Sequence, residues 1–218
     1  MQGVDTIFDN NKVPVKKLWQ VIMASSVGTV IEWYDFYIFG SLSAIISVSF
    51  FPKEDPAAAF ISTLAAFGAG FVARPFGGVL FGRLGDLIGR KYTFLLTLLL
   101  MGGSTFAIAF IPSYEKIGLV APALLLALRI IQGLALGGEY GGAATYVAEY
   151  APDAERGKYT SYIQTTATLG FFVSILVILV TQQVMGDAAF KDWGWRVPFA
   201  LSGILVVVSY FIRRNMDE

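Results

Sequence analysis

The chain contains neither cysteine nor histidine in its 218 residues. Without them there is no disulfide, no thiolate nucleophile, no zinc site of the Cys/His kind and no catalytic triad built on imidazole. Any proton handling must fall to carboxylates, tuned by arginine. Charge is scarce too: 15% of residues are Asp, Glu, Lys or Arg, against about 25% in an ordinary soluble domain. Sixteen basic and sixteen acidic residues cancel, so no basic field exists to hold nucleic acid. No low-complexity tract or soluble-domain linker interrupts the chain. The segment Met1 to Pro14 is polar and lacks the basic-then-apolar order of a cleavable signal.

Apolar residues dominate instead, at 56% of the chain with a mean hydropathy of +0.64. That leaves too little polar surface to wrap one core in water. The expectation is an all-α integral membrane protein with six transmembrane helices. A helix of about 20 apolar residues crosses the roughly 30 Å hydrocarbon layer, and six stretches qualify: 19–51, 57–81, 92–111, 119–148, 159–185 and 195–212, the last extended at the interface by Trp193 and Trp195. Residues 1–18 and 213–218 flank them. The six charges inside or beside these runs are few enough to name: Glu32 and Asp35 in the first, Arg74 in the second, Arg129 and Glu139 in the fourth, Arg196 at the start of the last.

Basic residues of the connections divide unevenly. One side would carry Lys12, Lys16, Lys17, Arg83, Arg90, Lys91, Arg156, Lys158, Arg213 and Arg214, and the other Lys53, Lys116, Lys191 and Arg196. The excess marks the cytoplasmic side and places both termini there.

Charges within a bilayer are costly and usually serve function. Glu32 and Asp35, spaced i, i+3, share one face of the first helix. Depth matching pairs Asp35 with Arg129 near mid-membrane, and Arg74 with Glu32 or Glu139 nearer the cytoplasm. The alternative reading is salt bridging that only fixes the bundle. Asp35, desolvated yet held near Arg129, is the candidate to bind and release a proton. Gln132 shares a polar face with Arg129 and Glu139 and is a candidate to bind substrate, while Gly133, Gly137 and Gly141, spaced i, i+4, i+8, form a stripe suited to close helix packing. Gln164, followed by Thr165 and Thr166, either binds substrate or makes a helix-helix hydrogen bond. Tyr34, Tyr37 and Tyr140 line a cavity or pack, packing being favoured for Tyr37. Arg74 and Arg129 would suit a carboxylate, whereas Glu32, Asp35 and the aromatics would suit a quaternary ammonium compound. Nothing in the sequence calls for a metal or cofactor.

The connection Gly82-Arg83-Leu84-Gly85-Asp86-Leu87-Ile88-Gly89-Arg90-Lys91 reads as a tight turn, with glycines at 82, 85 and 89 free to take positive φ. By composition alone it is a glycine-rich basic loop. It also resembles the G-x-L-x-D-x-x-G-R-K loop of the major facilitator superfamily, at the place between second and third spans where that family carries it. Arg129-Ile130-Ile131-Gln132-Gly133 is similar to the family's fourth-helix signature R-x-x-Q-G. Ala148-Glu149-Tyr150-Ala151-Pro152 with Arg156-Gly157 is similar to the motif at that helix's cytoplasmic end. The stretches Ile31 to Tyr37, Ala73 to Gly78 and Gly137 to Gly142 resemble the metabolite:proton symporter branch.

The resemblance implies one amino-terminal half of a major facilitator fold, built as a 3+3 inverted repeat, with substrate bound between two halves. The second half would be a missing carboxy-terminal part or another copy of this chain. In sugar-transporting relatives an aspartate of the first helix and an arginine of the fourth, at the positions matched by Asp35 and Arg129, are implicated in proton coupling, and a fifth-helix glutamine matched by Gln164 binds substrate. Asp86, Arg90, Glu149 and Arg156 would form the cytoplasmic gate, unless they only set topology. The expected function is proton-coupled symport of a small polar metabolite, an organic acid or osmolyte, across the cytoplasmic membrane by alternating access. The alternatives are a proton-independent facilitator and a non-transporting six-helix membrane protein. The spans hold no nucleophile set against paired carboxylates, so an enzyme is not expected.

Overall fold

A computed structural model describes the backbone of residues 15–214, with the side chains at 90, 91, 94, 138–146, 149, 150, 209 and 212–214, and several before 28, outside the described set. Among the described residues, six helices of 19 residues or more follow one another: α1 Val15–Phe50, α2 Pro56–Ile88, α3 Arg90–Ile108, α4 Val120–Tyr150, α5 Arg156–Met185 and α6 Arg196–Arg214. Short helical turns occupy the last three of the connections between them. By length and composition, stretches of α2, α4 and α5 are apolar enough to cross a membrane, and Leu95–Ile108 and Arg196–Val208 are shorter apolar helices.

Local chemistry explains the ends. Asp55 caps α2 by accepting from Ala58 N at 3.0 Å, with Pro56 in the first turn where its missing N–H costs nothing. The expected turn over residues 82–91 is mostly helical. α2 runs on to Ile88, and Gly82 and Gly85 lie within it; only Gly89 takes a positive φ, 96°, and joins α2 to α3 in a single residue. The reversal therefore needs one glycine. α4 ends before Pro152, with Ala151 extended as a residue preceding proline must be.

Glycine sets the helix pairing. A Cβ at Gly77 would collide with the Leu134 carbonyl, one at Gly133 with Gly70, and one at Gly137 with the Arg74 carbonyl. α2 and α4 are thus in backbone-to-backbone contact, as expected for Gly133 and Gly137, while the surroundings of Gly141, the third of the stripe, lie outside the described set. α1 and α5 meet in the same way, where a Cβ at Gly170 would lie 2.6 Å from Trp33 Cβ. α3 and α6 pack through Gly102 on Val206 and Gly203 on Phe106.

The main core follows α1. Tyr34, Ile38, Leu42, Ile46 and Phe50, four residues apart on one face, are buried against Ile108, Leu125, Trp195 and Phe199. Trp195, expected at the interface, is fully buried at 0% exposure, while its neighbour Trp193 is exposed. Arg196 Nη1 donates to the carbonyls of Ala109 at 2.8 Å and Ile111 at 2.6 Å, closing the end of α3. The outer faces are the reverse of a soluble protein's: Val72, Phe76 and Val79 on α2 and Phe172, Leu176 and Val184 on α5 point outward. Water would penalise that surface and hydrocarbon would not.

Candidate functional site

α1, α3 and α4 converge on a chain of polar side chains in the apolar interior. Asp35 is fully buried, at 0% exposure, and Arg129 is at 4%. The two interact electrostatically, but no direct hydrogen bond joins them. Thr105 Oγ1 on α3 donates to Asp35 Oδ2 at 2.8 Å. Gln132 Nε2 donates to Thr105 Oγ1 at 3.0 Å, and Arg129 Nη1 donates to Gln132 Oε1. The expected pair Asp35 and Arg129 is therefore a four-residue relay, with a neutral hydroxyl and a neutral amide between the charges. Gln132, placed among the substrate-binding candidates, is an internal link at 2% exposure.

One hydroxyl hydrogen serves Thr105, yet two acceptors lie within its reach: Asp35 Oδ2 and the Met101 carbonyl, the latter at 3.2 Å. The first suits an ionised Asp35, which can only accept. A protonated Asp35 would itself donate, and the threonine would turn to Met101. The relay thus has two self-consistent hydrogen-bond arrangements, one for each protonation state of the carboxyl.

Three buried atoms at its ends have no hydrogen-bond partner: Asp35 Oδ1, and Nε and Nη2 of Arg129. Arg129 instead rests its guanidinium over Phe39, 3.4 Å from the ring centroid, with Phe67 at 5.7 Å. Beside it opens a small cleft, lined by Phe36, Phe67, Phe71, Arg74, Arg129 and Gln132 among others. Arg74 stacks over Phe71 at 4.4 Å and interacts electrostatically with Glu32, which is buried at 3% exposure. Of the two partners expected for Arg74, Glu32 is near it; the side chain of Glu139 lies outside the described residues.

The remaining candidates scatter. Tyr34 is at 0% exposure, and its hydroxyl donates to the Pro198 carbonyl at 2.7 Å, which makes it a tie between α1 and α6. Tyr37 stacks on Trp33 and meets Phe171 edge-on, a packing role. Gln164 is exposed on α5. Asp86 is exposed near the end of α2. Arg156 donates from Nε to the Ala148 carbonyl at 2.9 Å and pairs with Asp153 at 2.5 Å, so it caps the end of α4. Side chains of Tyr140, Arg90 and Glu149 lie outside the described residues.

Thr105 is the residue sequence reasoning missed. It sits in a charge-free run where threonine ordinarily bonds its own helix, as Ser104 does to the Leu100 carbonyl. Only the folded structure brings it between Asp35 and Gln132, which are 70 and 27 residues away along the chain.

Residues 20–218 match the family described as "Sugar (and other) transporter". The chain belongs to that family, within the major facilitator superfamily. It is 44% identical over 203 residues to the alpha-ketoglutarate permease of Escherichia coli strain K12, covering 93% of this chain and 47% of the permease. With the proline/betaine transporter of the same organism it shares 39% over 213 residues, 98% of this chain and 43% of the transporter. These relatives are named as transporters and not as enzymes. The chain thus spans about half the length of the curated relatives it matches. The fold resembles the proton:xylose symporter XylE of E. coli, with a TM-score of 0.83 at 20% identity over 94% of this chain and 46% of that one.

Proposed function

We propose that this major facilitator chain forms half of a proton-coupled symporter that moves a small polar metabolite, an organic acid or osmolyte, across the cytoplasmic membrane by alternating access. The observation that carries the reading is the relay itself. A carboxyl at 0% exposure stands at the end of a hydrogen-bonded path whose two arrangements match its two protonation states. Asp35 takes and releases the proton, Thr105 and Gln132 pass the change to Arg129, and the cleft beside Arg129 receives the substrate. Named relatives that carry alpha-ketoglutarate and proline or betaine, and a fold neighbour that couples xylose to protons, support the same reading.

In this proposal all six helices cross the membrane, with both termini cytoplasmic as the basic connections require. The helix pairing supports a 3+3 inverted repeat. Exchanging α1, α2, α3 with α4, α5, α6 turns the α2–α4 contact into α5–α1 and leaves α3–α6 unchanged, and these are the three glycine-mediated pairings observed. A second six-helix half, in a longer chain or from another copy, completes the carrier. Such halves hold their substrate between them near the bilayer midplane.

The test is uptake in proteoliposomes containing this chain with its second half. Alpha-ketoglutarate and glycine betaine are offered with and without an inward proton gradient. Accumulation that requires the gradient is expected. Equal uptake without it would identify a proton-independent facilitator, and no uptake of any metabolite would leave a non-transporting protein.

A further inference from the structure

We propose that the cleft between α1, α2 and α4 is an organic-anion site, in which a substrate carboxylate is held by the guanidinium N–H groups of Arg129 and Arg74 against the rings of Phe36, Phe67 and Phe71. This rests on the transport reading and adds the charge of the substrate. Composition alone leaves a carboxylate and a quaternary ammonium compound equally suited; the geometry separates them.

Arg129 is the first reason. Its one hydrogen bond goes to the neutral amide oxygen of Gln132, because Thr105 and not Arg129 holds Asp35 Oδ2. Nε and Nη2 are left buried without an acceptor, although an unsatisfied charged donor in a dry interior is among the most costly groups a fold can carry. A carboxylate accepts from two guanidinium nitrogens at once, and such bidentate pairs are the strongest recognition available to arginine. Arg129 lines the cleft, so an anion entering it meets the donors that the relay leaves unused.

Arg74 is the second. It lines the same cleft from α2, and its Nε also lacks a hydrogen-bond partner. Its plane lies over Phe71, as that of Arg129 lies over Phe39. Phe36, Phe67 and Phe71 contact one another edge-on or tilted, with centroids 4.9 to 5.3 Å apart, and give the cleft a fixed apolar wall. The carboxylates near it do not line it: Glu32 acts on Arg74, Asp35 accepts from Thr105, and neither is among the cleft residues. Among the described residues the cleft lining holds two arginines and no acidic side chain, which favours an anion over a cation.

Equilibrium dialysis of the protein with its second half in lipid nanodiscs, with labelled succinate as probe, tests this without requiring translocation. Saturable succinate binding is expected. Succinamide, of similar size but uncharged, and choline should each compete at least tenfold less well than unlabelled succinate. Arg129→Gln should abolish binding. Arg74→Gln, at a half-buried position where misfolding is less of a risk, should weaken it at least tenfold, with Arg74→Lys between the two. Absence of saturable binding by the unaltered chain, equal competition by succinamide or choline, or binding unmoved in folded Arg74→Gln would each overturn the site. Proton coupling fails separately, if gradient-free uptake equals driven uptake while succinate still binds.

Discussion

The α2–α4 seam and the Asp35–Arg129 relay lie side by side in the bundle and are held together by opposite means. The seam has no side chains at all at its closest points. Backbone meets backbone at Gly77 and Leu134, Gly133 and Gly70, Gly137 and Arg74, and van der Waals packing of this kind admits one arrangement. The relay is made only of side chains, and one of its hydroxyls has two acceptors within reach. The difference teaches which parts can change state. Rigid glycine contact fixes the distance between α2 and α4, while a proton bound at Asp35, as proposed, would call only for rotations of Thr105 and the groups it touches. Arg129 belongs to both, since its carbonyl lies 3.1 Å from where a Cβ on Gly70 would stand.

Substituting the seam should give the largest effect. Gly133→Val places a branched side chain against the Gly70 backbone, which cannot rotate away, and overpacking costs about 1–3 kcal/mol even where side chains can adjust. Loss of monodisperse protein on size-exclusion chromatography is expected, whereas Gly103→Ala, with nothing within 4 Å of the added Cβ, should elute unchanged. Equal behaviour of the two would remove the seam's special standing.

The relay should behave in the other way, losing function with the fold intact. Thr105→Val keeps the shape and removes the hydroxyl, leaving Asp35 Oδ2 and Gln132 Nε2 without their partner, a loss of about 1–3 kcal/mol. Proton-driven uptake should fall at least tenfold, while exchange of labelled for unlabelled substrate across the membrane, which needs no net proton movement, should persist. Thr105→Ser should recover most of the driven uptake. If the valine variant loses driven uptake and exchange equally, Thr105 supports structure only.

Tyr34→Phe sharpens the comparison from the packing side. It removes a 2.7 Å hydrogen bond to the Pro198 carbonyl, worth about 1 kcal/mol, and a fall in thermal midpoint with unchanged pH dependence of uptake is expected. The smallest effect belongs to the surface. Lys53 Nζ bonds Glu115 at 2.5 Å and holds that carboxyl below its ordinary value of 4.5. The pair's contribution is complete above that value and is lost as pH falls through the lowered one. Both groups are exposed, at 60% and 68%, so solvent screening leaves little. Lys53→Ala should leave the thermal midpoint at pH 7 within measurement error.

Much of this was legible in the sequence because its causes are local. Apolar length announced the long helices, proline and aspartate their ends, and the i, i+4, i+8 glycines the close approach of α4 to a partner. Of the partner stripe on α2, Gly77 was visible only as part of a motif and Gly70 carried no signal of its own. The buried charges could be named, but their partners could not, since hydrogen bonding depends on side chains brought together from α1, α3 and α4. A direct Asp35–Arg129 pair was the simplest reading of depth. The interposed Thr105 was invisible, because a threonine that bridges helices and one that bonds its own helix look alike in sequence. Residue type left Tyr34 open between lining a cavity and packing and put Trp195 at the interface, and packing buries both.

The central claim is that Asp35 carries the coupled proton, and proton flux itself is its most direct measure. Proteoliposomes containing the protein with its second half would be loaded with a pH-sensitive dye and exposed to alpha-ketoglutarate or betaine in the absence of an imposed gradient. Substrate addition should acidify the lumen for the unaltered protein, and for Asp35→Asn the dye signal should stay flat while substrate exchange continues. Unaltered acidification by Asp35→Asn would contradict the account.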